Sequence, residues 1–127
     1  MKSFSEIDTI SKRASRALGY SWGLSEEVGK NIKLLEMFGL QGVKNFNAFC
    51  NEFKTRKFQN ITLINKKNYS NKHSYCPITV GVNFLDQVNT LDEFINLEFQ
   101  NIAFPILFLP FVSRASEAIG KKISLQL

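Results

Sequence analysis

The sequence contains one histidine, His73, and two cysteines, Cys50 and Cys76. A structural zinc centre takes four such ligands at characteristic spacing, so no metal centre is expected, and two cysteines make no disulfide framework. Three prolines and seven glycines in 127 residues leave no Pro- or Gly-rich linker, and neither a low-complexity tract nor an internal repeat is present. One domain, residues 1–127, is the economical division. The N-terminus, Met1-Lys2-Ser3-Phe4-Ser5-Glu6-Ile7-Asp8, carries acids where a secretory leader has an apolar run; a cytoplasmic protein with reduced thiols is expected. The longest apolar run, the eleven residues from Ile102 to Val112 with Pro105 and Pro110 inside it, falls short of the roughly 20 residues of a membrane span. It reads as buried core. No glycine-rich phosphate loop follows a strand, because Gly19 and Gly23 flank aromatics between helical stretches, and no cofactor is expected.

Hydrophobic content of 44% and charged content of 21% are those of a globular protein. The net charge of +5 is unevenly placed. Residues 44–73 hold Lys44, Lys54, Arg56, Lys57, Lys66, Lys67 and Lys72 against Glu52 alone, which is +6; the other nine bases and ten acids leave −1. Phe58, Tyr69 and Tyr75 interleave with these bases, as in surfaces that bind single-stranded nucleic acid. A solvated loop is the preferred reading, since Asn, Lys, Phe and Ile number 12, 12, 12 and 11, a joint excess typical of an AT-rich genome.

Ser3 with Glu6 is a capping box, and Ile7, Ile10, Ala14 and Leu18 follow at helical spacing, so a first helix is expected over about residues 4–18. Ser25 with Glu26 and Glu27 in the next turn starts a second helix, whose buried face is Val28, Ile32, Leu35 and Phe38 and whose stop is Gly39. Val43, Phe46, Phe49, Cys50 and Phe53 place a third helix after Gly42. Gln59–Ile64 and Ile78–Phe84 then read as two strands, paired antiparallel, with a polar loop at 65–74. Thr90 with Glu93 starts a short helix that buries Leu91, Phe94, Ile95 and Phe99. An extended segment from Ile102 feeds a helix at Pro110 that carries Phe111, Ala115, Ala118 and Ile119 on one face and stops at Gly120. Ile123–Leu127 alternates as a strand, which is unusual at a terminus, so it is either docked in a sheet or continued by further sequence. The fold class is α+β: N-terminal helices followed by a small mixed or antiparallel sheet with one or two packed helices.

Three places carry candidate chemistry. Cys76 stands before Pro77 with His73 three residues away; an inert, half-buried thiol is preferred to a nucleophile, because nothing orients the His. Trp22, on a turn beside Glu26 and Glu27, either lines a pocket or partner groove or closes the ends of two helices. Arg114, in the first turns of a helix where cations are disfavoured, is expected to pair with Asp86 or Glu26, as a structural ion pair or as a ligand contact. Trp22, Glu26, Cys76, Asp86 and Arg114 are the candidate ligand- or partner-binding residues, and no catalytic set is evident.

Three stretches, Ala14-Ser-Arg-Ala-Leu-Gly-Tyr-Ser-Trp-Gly-Leu-Ser-Glu-Glu-Val-Gly29, then Cys76-Pro77-Ile78 with Gly81 and Leu85-Asp86, then Pro105-Ile-Leu-Phe-Leu-Pro-Phe-Val-Ser-Arg-Ala115, together resemble DUF3726, a bacterial family of unknown function. The resemblance implies a fold unit whose members typically continue beyond the position of Leu127, and it implies no reaction, cofactor or catalytic residue. A non-enzymatic binding or assembly module is therefore expected, a homo-oligomer or a protein bound to a partner through the C-terminal strand. The alternative is a small enzyme or ligand-binding protein with a pocket near Trp22, Cys76, Asp86 and Arg114. Nucleic acid ranks third, and no membrane association is expected.

Overall fold

The computed structural model describes residues 3–70, 72–91 and 96–125. Two compact units are present, Met1–Arg56 and Lys57–Leu127. The first is helical. Helix α1, Phe4–Ala17, begins at Ser3, whose Oγ accepts the Glu6 N–H at 3.2 Å. Helix α2, Trp22–Met37, begins at Ser21, whose Oγ accepts the Leu24 N–H. The expected cap at Ser25 is thus one turn too late: Ser25 is buried inside the helix. The two helices meet through small side chains, with Ser11 and Ser15 on α1 and Ser25 and Gly29 on α2 all buried. A Cβ at Gly29 would stand 2.8 Å from the Asp8 carbonyl oxygen, nearer than packed atoms approach, so only Gly allows this crossing.

Helix α2 ends at Gly39 in the left-handed region (φ 72°), with the Leu40 N–H reaching back to the Leu35 carbonyl, a Schellman closure. Phe38, expected on the buried face, sits on that closure and is 73% exposed. Helix α3, Gly42–Phe53, follows at once, its Val43 N–H held by Glu36 Oε1 at 2.8 Å. Val28, Ile32, Leu35, Phe46 and Phe49 are buried, and the Phe53 ring meets those of Tyr20 and Phe49 in tilted contacts at 5.7–5.8 Å.

The second unit departs further from expectation. Its sheet is parallel, made of β1, Lys67–Asn68, and β2, Glu98–Phe99; a second parallel set is the single bridges Gln59–Tyr75 and Tyr75–Ile102. The expected strand at 78–84 is instead the front half of helix α4, Pro77–Leu91. Alternation of Ile78, Val80, Val82 and Phe84 suggested a strand, but the buried set continues as Gly81, Phe84, Val88 and Leu91, which is helical spacing, and Pro77 opens the helix as a first-turn proline can. With 78–84 helical, the antiparallel pairing is lost. Gln59–Ile64 forms only its Gln59 bridge. It is held by one face of α4 instead: Thr79 Oγ1 donates to Asn60 Oδ1, Asn83 Nδ2 to the Ile61 carbonyl, and Gln87 Nε2 to the Thr62 carbonyl while its Oε1 accepts the Ile64 N–H, at 2.7–3.0 Å. Thr90 and Leu91 end α4, β2 contains Phe99, and the rest of the expected short helix, residues 92–95, lies outside the described residues.

Ile102 is bridged to Tyr75, but Ala103 to Phe108 is not extended. Phe104 turns the chain at φ 47°, a 3₁₀ turn spans Pro105–Leu107, and helix α5 runs Leu109–Ile119 with Pro110 in its first turn. Leu107, Phe108, Phe111, Val112 and Ala115 are buried, as the apolar run requires, and Leu109 is half-buried. Helix α5 stops at Gly120 (φ 67°). The tail that follows, through Leu125, has no strand, contrary to expectation; residues 126 and 127 lie outside the described residues. Asn68, buried in β1, replaces several missing ladder bonds: its Nδ2 donates to the carbonyls of Asn65 and Glu98, and its Oδ1 accepts the Asn65 N–H.

A Cβ at Gly81 would fall inside the Phe111 ring, so Gly81→Ala is expected to destabilise by about 1–3 kcal/mol through overpacking, against the roughly 1 kcal/mol that Gly→Ala gains in an open helix. Phe111→Ala should cost about 3–5 kcal/mol; chemical denaturation of both variants measures these values. Asn68→Asp keeps the shape but turns two donated bonds into carboxylate–carbonyl repulsion, and a loss on the order of 1–3 kcal/mol is expected. A stability unchanged in urea would remove Asn68 from its structural role.

Candidate functional site

A groove of about 1010 Å³ opens in the second unit. The buried side chains of Phe84, Val88, Phe108 and Val112 line it, together with residues 96–102, which include β2, and residues 121–125 of the tail. Phe84, Phe99 and Phe108 form its aromatic part, with ring centroids 5.5–6.3 Å apart. Lys121 and Lys122 are exposed where the tail leaves α5.

The backbone of β2 gives the groove a directional feature. The N–H groups of Glu98 and Gln100 donate to the Lys66 and Asn68 carbonyls of β1, each at 2.8 Å. In a strand, successive N–H and C=O groups point to alternate sides, so the N–H and C=O of Phe99 point away from β1. Among the described residues neither makes a hydrogen bond. The tail is in a similar condition. Lys121 is fastened to the end of α5 through the Ser116 carbonyl and hydroxyl, whereas residues 122–125 make no hydrogen bond among the described residues.

A smaller cleft of about 360 Å³ is lined by Lys67, Asn68, Tyr69, Glu98 and Gln100. It is polar. Tyr69 is exposed beside it, and Lys66, Lys67 and Lys72 are exposed on the same stretch of chain.

The five residues singled out from the sequence are distributed over both units. Trp22 opens α2 and is 63% exposed, with the Arg16 guanidinium 4.4 Å from its ring centroid, a cation–π contact. Glu26 is exposed one turn further along α2. Cys76 is buried at the entry to α4, its N–H donating to the Gln59 carbonyl and its C=O accepting the Val80 N–H, both at 3.0 Å. Asp86 is exposed on α4, about 14 Å along the helix axis from Pro77 at 1.5 Å per residue. Arg114 is half-buried on α5. None of the five lines the groove. The other cysteine, Cys50, is half-buried on α3; burial pushes its thiol above the ordinary value, opposed in part by Lys54, so the reactive thiolate is scarce at neutral pH.

Among the described residues no group of three or more His, Cys, Asp or Glu is placed to hold a metal ion, and no helix is long and apolar enough to cross a membrane. The alternation of Ile123 and Leu125 was read as a strand; the structure has no strand there through Leu125, and both residues line the groove instead. The sequence reading missed β2, because a capping box at Thr90 and Glu93 drew residues up to Phe99 into a helix. The signal available was the Leu97–Glu98–Phe99–Gln100 alternation, four residues long and overlooked beside the stronger helix start.

No curated protein and no solved structure matches the chain. The sequence pattern of DUF3726, described as a protein of unknown function, matches residues 2–75, which takes in the Ala14–Gly29 stretch and stops short of Cys76-Pro77-Ile78 and of Pro105–Ala115. With more than half of its length matched in this way, the chain belongs to the DUF3726 family.

Proposed function

We propose that this protein is a non-enzymatic binding or assembly module of the cytoplasm, associating with a second copy or a protein partner through its C-terminal segment. The observation that carries the reading is the groove: an apolar, aromatic-lined channel beside a tail whose Ile123 and Leu125 alternate with polar residues and whose Leu125 is 37% exposed. Apolar surface of this kind, rimmed by charge, is what protein-binding sites use. Because the family match runs across residue 56 into the second unit, the whole chain is read as one domain.

A second reading, a small ligand-binding protein or enzyme using Trp22, Glu26, Cys76, Asp86 and Arg114, draws its support from Trp22, a large aromatic held in the open by Arg16. No nucleic-acid role is proposed. Lys66, Lys67 and Lys72 are exposed, and changed together to Gln they should leave stability within about 0.5 kcal/mol of wild type, with any nucleic-acid affinity lost at modest salt.

Association is tested by sedimentation at micromolar concentration. The wild-type chain alone, or with its partner, is expected to form a complex that Leu125→Lys weakens by at least about tenfold, while the circular dichroism of the variant stays that of the folded protein. A wild-type chain that remains monomeric and captures no partner defeats the reading, as does a complex indifferent to Leu125.

A further inference from the structure

We infer that the corner between α2 and α3 docks on the surface of a membrane that carries anionic lipid. Met37, Phe38, Leu40 and Val43 lie close together in the chain and are 55%, 73%, 39% and 43% exposed. A single exposed apolar side chain is ordinary, whereas several gathered on one turn mark a contact surface. The corner lies wholly in the first unit, Met1–Arg56, apart from the groove, so the inference goes beyond the assembly reading.

The corner has a fixed backbone. Gly39 at φ 72° lets the Leu40 N–H return to the Leu35 carbonyl at 2.9 Å, Gln41 follows in the left-handed region at φ 54°, and Glu36 Oε1 accepts the Val43 N–H at 2.8 Å. A Cβ at Gly42 would stand 2.7 Å from the Leu35 Cβ and 2.9 Å from the Ile32 carbonyl oxygen, so α3 starts hard against α2. The exposed apolar side chains are therefore carried on a rigid support, and docking has little backbone left to order.

Charge selects the occupant. Between Glu27 and Glu52 the chain holds Lys30, Lys33 and Lys44 against Glu36 alone, and the Glu36 carboxylate is turned to the Val43 N–H. Lys33 stands one turn before Met37 on α2, and Lys44 follows Val43 and is exposed. A second copy docked on the same corner would set these lysines against their own counterparts, so the surface calls for an anionic occupant. Protein interfaces are depleted in Lys. Phe and Leu flanked by Lys are instead the pattern of segments that lie in a bilayer interface, where the long lysine stems keep their ammonium groups among the lipid headgroups. The expectation of no membrane association came from the want of a spanning segment, and a corner that rests on the surface needs none.

The test is co-sedimentation of the full chain with vesicles of phosphatidylcholine, alone or mixed equally with phosphatidylglycerol. The wild-type chain is expected on the mixed vesicles and not on the neutral ones, and to leave them as salt is raised. Phe38→Ser should weaken this binding by at least about tenfold, and Lys44→Gln by about fivefold, the share of one lysine near an anionic surface. Both variants should keep the circular dichroism of the folded chain. Trp22 is the one tryptophan, so Phe38→Trp placed in a Trp22→Phe chain reports on the corner alone, and its emission should shift to the blue on mixed vesicles. Leu125→Lys, which tests the assembly reading, should leave vesicle binding unchanged. Equal binding to both vesicles, or binding to neither, overturns the inference. So does binding that survives Phe38→Ser but is lost when Lys66, Lys67 and Lys72 are changed to Gln, because the basic loop is then the contact. A Phe38→Ser chain that loses a protein complex, with no vesicle binding by the wild type, overturns it in favour of a protein partner at the corner.

Discussion

The absence of a side chain at Gly81 lets the Phe111 ring press against the backbone of α4, and the second unit is built outward from that contact. A Cβ there would occupy the ring, so the close approach of α4 and α5 depends on this one residue type. Phe108, just before α5, and Val112 on it flank Phe111 in sequence, Phe84 lies one turn from Gly81 on α4, and Phe84, Phe108 and Val112 belong to the buried cluster that lines the groove. The groove is therefore a consequence of how two helices are spaced.

Helix α4 uses its opposite face for a different purpose. Thr79, Asn83 and Gln87, four residues apart, hold the chain from Asn60 to Ile64, Thr79 through the Asn60 side chain and the other two through backbone groups. Side chains here do what a neighbouring strand does in a larger sheet, satisfying backbone carbonyl and amide groups. Asn68 does the same for β1. With side-chain amides carrying so much of the backbone bonding, the sheet itself stays two residues wide along each strand, and its outer edge at Phe99 is left open.

In the first unit the governing constraint is small volume. Ser11, Ser15, Ser25 and Gly29 bring α1 and α2 together, and the larger apolar residues of α2 and α3 form the core beside them. Trp22, at the first helical position of α2, is exposed with the Arg16 guanidinium over its ring.

The family was legible in the sequence, and so were the three N-terminal helices, since capping serines, stopping glycines and three-to-four spacing act within a turn or two of the chain. The burial of Leu107 to Ala115 was legible for a similar reason: a run with so few polar groups has nowhere else to go. The N-cap at Ser21 was not, because Ser21 and Ser25 are equally good caps locally and only packing against α1 selects between them. Residues 78–84 show the limit most clearly. Their β-branched alternation favours a strand locally, whereas in the fold they are helical and bury a face on which Gly81 meets Phe111, thirty residues away. The candidate site divides along the same line: the alternation of Ile123 and Leu125 could be read from the tail's own residues, but not that they line a groove without forming a strand, and the edge of β2 exists only through its pairing with Lys67 and Asn68. Local preference is written residue by residue, but which backbone groups are left without a partner is decided only when distant segments have taken theirs.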